Sequence, residues 1–217
     1  MRFKPYPHKS GKIVRWLFPR LLWFKPSEKP TIYLTFDDGP IPEITENVLT
    51  ILEKFDAKAT FLCIGDNVVK HPHIFKKIVE AGHSVGNHTQ NHLNGWKNEN
   101  EVYYKNINEC KKIILDEYSK LEIFEQVSLY RPPYGKLTPE QFQKISTEYQ
   151  VVMWDVLTGD FDKFLSRKVC LQKSIECTES GSIITFHDSI KAAKNMLYTL
   201  PRYLEHFSEK GFVFERL

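Results

Sequence analysis

Five short polar clusters carry the side chains that could do chemistry. They are Asp37-Asp38-Gly39-Pro40, His88-Thr89-Gln90-Asn91-His92, Arg131-Pro132-Pro133-Tyr134-Gly135, Asp160 and His187-Asp188. The adjacent carboxylates of Asp37 and Asp38 allow a division of labour, one ligating a metal while its neighbour stays free as a base. Asp-Asp-Gly-Pro also makes an ordinary capped turn. His88 and His92 are four residues apart, so one helical turn would put both imidazoles on the same side. With a third ligand and an open position, such a pair suits a catalytic zinc site, although plain surface helices carry the same spacing. Arg131 reads as a surface residue ahead of a rigid turn, or as a fixed guanidinium that orients a carboxylate and keeps it ionised. His187 reads as a buried structural histidine or as a general acid near neutral pH. Asp160 alone reads as a loop acid.

The elements that must position these groups alternate regularly. Thr31–Phe36, Ala59–Cys63, His83–Asn87, Gln126–Arg131, Val151–Val156, Ile183–Phe186 and Phe212–Glu215 have the composition of short strands. Six helical patterns separate them, over about Glu43–Phe55, His71–Ala81, Glu99–Tyr118, Thr138–Tyr149, Ser166–Thr178 and Asn195–Lys210. Thr138-Pro139-Glu140-Gln141 announces its helix with an N-cap, a proline at the first helical position and a capping-box glutamine. Strands alternating with helices predict a parallel α/β architecture, a barrel or a doubly wound sheet. Both place function just past the carboxyl ends of the strands, which is where the polar clusters fall.

Composition bounds the rest. With 217 residues, 41% hydrophobic and 26% charged, the chain is long enough for one domain with its own core. It is unlike collagen, low-complexity or disordered sequences. Residues 1–27 hold seven basic groups (Arg2, Lys4, Lys9, Lys12, Arg15, Arg20, Lys25) and no acid, leaving a body of 23 basic and 27 acidic residues. A nucleic-acid enzyme would carry its cations on the body, so no nucleic-acid partner is expected. The arm mixes these cations with Ile13, Val14, Trp16, Leu17, Phe18, Leu21, Leu22, Trp23 and Phe24. It lacks a signal-peptide cleavage site, and no run of ~18 apolar residues predicts a spanning helix. It reads as a helix closing the lower end of the fold, or as a contact through residues 1–25 with a membrane or an acidic envelope polymer. Cys63, Cys110, Cys170 and Cys177 show no paired spacing and read as free thiols, which favours a reducing compartment. No GxGxxG, Walker or GxSxG pattern supports a nucleotide cofactor or a serine nucleophile. His71, His73 and His83 have no partners at useful spacing, and Tyr103, Tyr104, Tyr149 and Tyr203 fit helix packing.

Taken together, TFDDGP (Thr35–Pro40), ATFLCIG (Ala59–Gly65), HTQNH (His88–His92), RPPYG (Arg131–Gly135), WDVLTGDF (Trp154–Phe161) and IITFHD (Ile183–Asp188) resemble, in order, the motifs of the polysaccharide deacetylase family. This is the NodB-homology domain of carbohydrate esterase family 4. The resemblance implies a single α/β domain over residues 29–217, a distorted (β/α) barrel of about seven parallel strands, behind a basic aromatic arm at 1–28. It implies a hydrolase that removes N-acetyl groups from a chitin- or peptidoglycan-like glycan. An O-acetyl (xylan-type) esterase and a non-catalytic carbohydrate-binding protein are the alternatives. It further implies a divalent metal, zinc first, on Asp38, His88 and His92, and Asp37 as general base steered by Arg131. The Tyr134 backbone amide would share the oxyanion, and His187 would be the general acid, oriented by Asp160. Such enzymes act on the envelope, whereas the thiols point to the cytoplasm, and both locations stand. Phe161 replaces the family's usual Trp, and Thr185 replaces a Leu expected beside the acetyl methyl group.

Overall fold

A computed structural model describes residues 6–217, so Arg2 and Lys4 of the arm lie outside the described residues. Eight strands, β1 (Thr31–Asp37), β2 (Thr60–Cys63), β3 (Ser84–Asn87), β4 (Leu129–Tyr130), β5 (Gln150–Val151), β6 (Val156–Leu157), β7 (Ile183–His187) and β8 (Val213–Glu215), join in one sheet. All of their pairings are parallel. The order is β5-β4-β3-β2-β1-β7-β6, with β8 pairing the amino-terminal half of β1. The helices are α1 (Lys12–Leu17), α2 (Ile44–Lys54), α3 (Gly65–Lys70), α4 (Pro72–Glu80), α5 (Asn100–Lys120), α6 (Pro139–Ile145), α7 (Arg167–Cys177) and α8 (Ala193–Ser208). This is a distorted (β/α) barrel in a single domain, as the motifs imply.

The alternation of β1 sorts its side chains into two layers. Ile32, Leu34 and Phe36 face outward into the core under the helices, where Phe36 stacks between Phe61 and Phe186 with ring centroids 5.1 and 5.7 Å away. Tyr33 instead packs with Ile183 and Val152 inside the barrel, over Leu22, Leu129 and Leu217. Above that apolar plug the next inward residues are Thr35 and Thr185, then Asp37 and His187, each pair in register across β1 and β7. Both faces of β1 are buried along its whole length, which is why its sequence shows no polar alternation. Helix α6 starts as its sequence predicts, with Thr138 and Gln141 closing a reciprocal capping box and Pro139 in the first turn.

Three expectations are corrected. The run Val151–Val156 is not one strand: Gln150–Val151 pairs β4, while Val156–Leu157 pairs β7 at the opposite edge of the sheet. The intervening residues cross the open seam, and the arm completes it. The Val152 amide donates to the Tyr130 carbonyl, the Asp155 amide to Ile183, the Leu22 amide to Val151 and the Ser10 amide to Asp155, all within 2.8–2.9 Å. The arm therefore closes the barrel through its extended parts at His8–Ser10 and Leu22, and its helix α1 lies outside. Third, α3 adds a helix that the sequence pattern did not announce, directly after β2. The four cysteines are free, with Cys63, Cys110 and Cys170 buried.

Candidate active site

Asp37 ends β1 with its side chain inward, and the β1–β7 register sets it beside His187. Beneath them lies Arg131, immediately after β4 and wholly buried. Its Nη1 donates to Asp37 Oδ1 at 2.6 Å and to Thr35 Oγ1 at 2.8 Å, its Nη2 to the Met153 carbonyl at 2.7 Å and its Nε to the Val152 carbonyl at 3.3 Å. A buried guanidinium is tolerable only when paired in this way. Burial alone would raise the Asp37 carboxyl, but the Arg131 charge and hydrogen bond, with the His187 imidazolium alongside, outweigh it and hold the group below the usual carboxylate range.

Asp38 stands at a φ of 89°, a left-handed conformation that a non-glycine residue keeps only where its surroundings fix it. The surroundings are visible. Asn67 Nδ2, on α3, donates to the Asp38 carbonyl at 2.7 Å, and the Gly39 amide donates to Asp188 Oδ1 at 2.9 Å. The Asp188 amide returns a bond to the Asp37 carbonyl at 3.0 Å, and Thr45 Oγ1 donates to Asp188 Oδ2 at 2.6 Å. A Cβ on Gly39 would fall 1.9 Å from Asp188 Oδ2, so this position admits only glycine. No role for Asp188, Thr45 or Asn67 is legible in the sequence. Adjacency to His187 was the available signal for Asp188; nothing marked the other two.

His88 and His92 come together as their spacing suggests, but through a turn and not a helical turn. Thr89 and His92 take φ values of 67° and 61°, and the Thr89 amide is caught by Asn87 Oδ1 at 2.8 Å. The two rings lie 5.1 Å apart. His88 Nδ1 bonds the Arg131 carbonyl at 2.8 Å. A carbonyl oxygen only accepts, so Nδ1 carries the proton and Nε2 keeps its lone pair. That Nε2 lies 3.9 Å from Asp38 Oδ1, and His92 Nε2 lies 3.4 Å from the same oxygen. Burial lowers the affinity of both imidazoles for protons, aided at His92, pushed down to about 4, by the neighbouring His88. Asp38 Oδ1 is itself buried without a hydrogen-bond donor. An unpartnered carboxylate oxygen facing two unprotonated imidazole nitrogens, all within 4.8 Å of one another, is a donor set for one divalent cation. The residues present fit the metal that the motifs imply.

His187 completes the arrangement from β7. Its Nδ1 bonds Asp160 Oδ1 and its amide donates to Asp160 Oδ2, both at 2.8 Å. Burial disfavours the imidazolium, yet the Asp160 charge and hydrogen bond prevail and raise the group to about 9. Phe161 meets the His187 ring edge-on at 5.1 Å, so the position that departs from the family's tryptophan still walls the site. Thr185 is buried one layer down, its hydroxyl 3.3 Å from that of Thr35. On the opposite rim Tyr134 sits at a φ of 62°, its exposed ring 4.5 Å from that of His92. Nearby in the chain, exposed Trp96 is pinned by its indole N–H to the Leu137 carbonyl at 3.1 Å. The structure thus gathers Asp37, Asp38, His88, His92, Arg131, Tyr134, Asp160 and His187 at one end of the barrel. His83 is used elsewhere, its Nδ1 accepting the Ala59 amide at 3.3 Å.

Comparison with known proteins agrees with this geometry. The polysaccharide deacetylase family model matches residues 24–154. A peptidoglycan-N-acetylglucosamine deacetylase of Bacillus cereus is 29% identical over 194 residues, 88% of each chain. A second one from that organism is 37% identical over 171 residues, 76% of this chain but only 58% of its own length. The solved structure of the Bc1960 peptidoglycan N-acetylglucosamine deacetylase superposes with a TM-score of 0.85 at 28% identity, over 94% of both chains. The barrel is shared with that solved relative, and the chain belongs to the polysaccharide deacetylase family, hydrolases of carbon–nitrogen bonds.

Proposed function

We propose that the protein removes N-acetyl groups from the sugars of a peptidoglycan- or chitin-like glycan, with a divalent metal, zinc first, on Asp38, His88 and His92. One observation carries the reading. Two titratable groups in register on adjacent strands, Asp37 and His187, are held in opposite charge states beside a metal-ligand triad. Simple glycan binding needs neither.

A cation at the triad would polarise the acetyl carbonyl and bring the pKa of bound water toward ~7. The chain's own groups supply the rest. Asp37, kept ionised and fixed by Arg131, takes the proton from the attacking water. The Tyr134 amide donates to the oxygen on which negative charge develops, a contact of a kind worth about 2.7–4 kcal/mol. An amide nitrogen leaves poorly unless protonated, so His187 delivers its proton as the C–N bond breaks, with Asp160 holding the ring in place. The exposed rings of Tyr134 and Trp96 offer flat apolar faces of the kind on which sugar rings rest. The relatives named for peptidoglycan N-acetylglucosamine support that class of glycan first.

The test is acetate release from peptidoglycan fragments and N-acetylglucosamine oligomers, with acetyl-xylan in parallel. Release from the amide substrates, abolished by a chelator and restored by zinc, is the expected outcome. Release from acetyl-xylan alone would establish the esterase instead, and release from none would leave a binding protein.

A further inference from the structure

Helix α1 is inverted relative to an ordinary surface helix. Arg15 points inward, bonded to buried Asp155, with its guanidinium 4.2 Å from the Phe24 ring centroid. Ile13, Trp16 and Leu17, spaced i, i+3, i+4 on one face, point outward and are 73%, 77% and 55% exposed. Phe18 extends the patch at 54%. Lys12 and Arg20 bracket it in the chain, both exposed, Arg20 with its guanidinium over the Phe142 ring, and residues 1–27 carry no acid. A contiguous exposed patch of large apolar side chains marks a contact surface.

We propose that this patch seats the protein on an anionic lipid bilayer, Trp16, Leu17, Phe18 and Ile13 entering the headgroup boundary while the flanking cations meet lipid phosphates. Three observations select this occupant. Tryptophan and phenylalanine beside lysine and arginine are the composition of interfacial segments. A second copy of this chain meeting the patch by two-fold symmetry would bring the cations of one copy up against those of the other. A helix of six residues, about 9 Å long, is also far too small for the ~800 Å² per partner of a stable dimer. Finally, α1 is moored at Asp155 and Glu179, next to the amino ends of β6 and β7, whereas the catalytic groups lie at the carboxyl ends. A bilayer under α1 leaves the site facing away from the membrane, toward a glycan laid over it. The inference is independent of which glycan is cleaved.

Sedimentation of the full chain with phosphatidylglycerol-containing vesicles, and with pure phosphatidylcholine vesicles, tests it. The protein should pellet with the anionic vesicles, less so at high salt. The double variant W16S/F18S, altered only at exposed positions, should bind at least about tenfold more weakly. The same variant should keep its melting temperature and its acetate release from a soluble oligomer, which separates a failure of this inference from a failure of folding or of catalysis. Wild-type protein left in the supernatant with both vesicle types would overturn the proposal. So would undiminished binding by W16S/F18S, or a concentration-dependent dimer that the variant abolishes in place of vesicle binding.

Discussion

An imidazole free in water loses its proton near pH 6.5, whereas His187 keeps its proton to about 9 because Asp160 faces it inside the fold. Two consequences follow from the sign. The pair stabilises the fold fully below pH 6.5, and that contribution is lost as pH rises through 9. In its proposed role as proton donor His187 is charged at neutral pH, so amide cleavage should fall on the alkaline side. A cation at the triad opposes the imidazolium, so zinc should move this limb to lower pH. An NMR titration of His187 with and without zinc would show the displacement. His187→Ala should lower kcat on an amide by about 10²–10⁴-fold and cost far less on an acetyl ester, whose alkoxide leaves with much less help from a proton donor. Equal losses on both substrates would remove His187 from the acid role. Arg131 makes the complementary case. Its four hydrogen bonds need a planar fork, so Arg131→Lys is not conservative. Removing the guanidinium strands the buried Asp37 carboxylate, a loss of about 3–5 kcal/mol on denaturation. Asp37 contributes stability above its unfolded pKa, lost as pH falls through its depressed folded value. Arg131→Ala should therefore also raise the acid limb of activity.

At the scale of elements, the proposed ligand Asp38 depends on a loop held from behind. Asp188 accepts from Gly39 and Thr45 and donates its amide to the Asp37 carbonyl, clamping the end of β1 to the end of β7. Asp188→Ala removes both acceptors without touching a ligand. It should weaken zinc affinity by about 10–100-fold, read by competition with a chelating dye, while Asp38→Ala should abolish tight binding. An unchanged affinity in Asp188→Ala would show that the loop holds itself. The same elements show what was legible in the sequence. Strand ends were readable because β-branched and aromatic runs stop at polar clusters, and the capping box of α6 was readable because its chemistry is local. The spacing of His88 and His92 announced their pairing but not its geometry, since Thr89 and His92 take positive φ and the Thr89 amide is held by the acceptor Asn87 Oδ1. The break between β5 and β6 was not legible: apart from Asp155 the run Val151–Val156 is apolar, and which sheet edge each half joins is decided by distant partners.

For the molecule as a whole, the seam between β5 and β6 makes the arm part of the fold. Composition set the arm apart from the body, and its charge pattern could be read, but nothing in the sequence marked which cations turn inward. The answer lies in Asp155, a buried carboxylate at the seam that receives Lys9 Nζ at 2.7 Å, Ser182 Oγ at 2.6 Å and the Arg15 guanidinium. Lys9 and Arg15 also reach Glu179 at 2.9 and 3.4 Å, but Glu179 is half exposed and such contacts are worth little. Asp155 is wholly buried, so its loss leaves the two cations only the half-exposed Glu179 as a counter-charge against the barrel. Asp155→Ala should destabilise the protein by about 3–5 kcal/mol and release residues 6–25 to protease first, because the backbone bridges at Lys9, Leu22 and Phe24 are too few to hold the arm alone. Glu179→Ala should cost less than about 1 kcal/mol. Equal effects of the two substitutions, measured by denaturant unfolding and limited proteolysis, would mean that apolar packing of Leu22 and Trp23 anchors the arm and the buried charge does not. The expected difference instead identifies Asp155 as the point where a basic arm and an acidic body become one barrel.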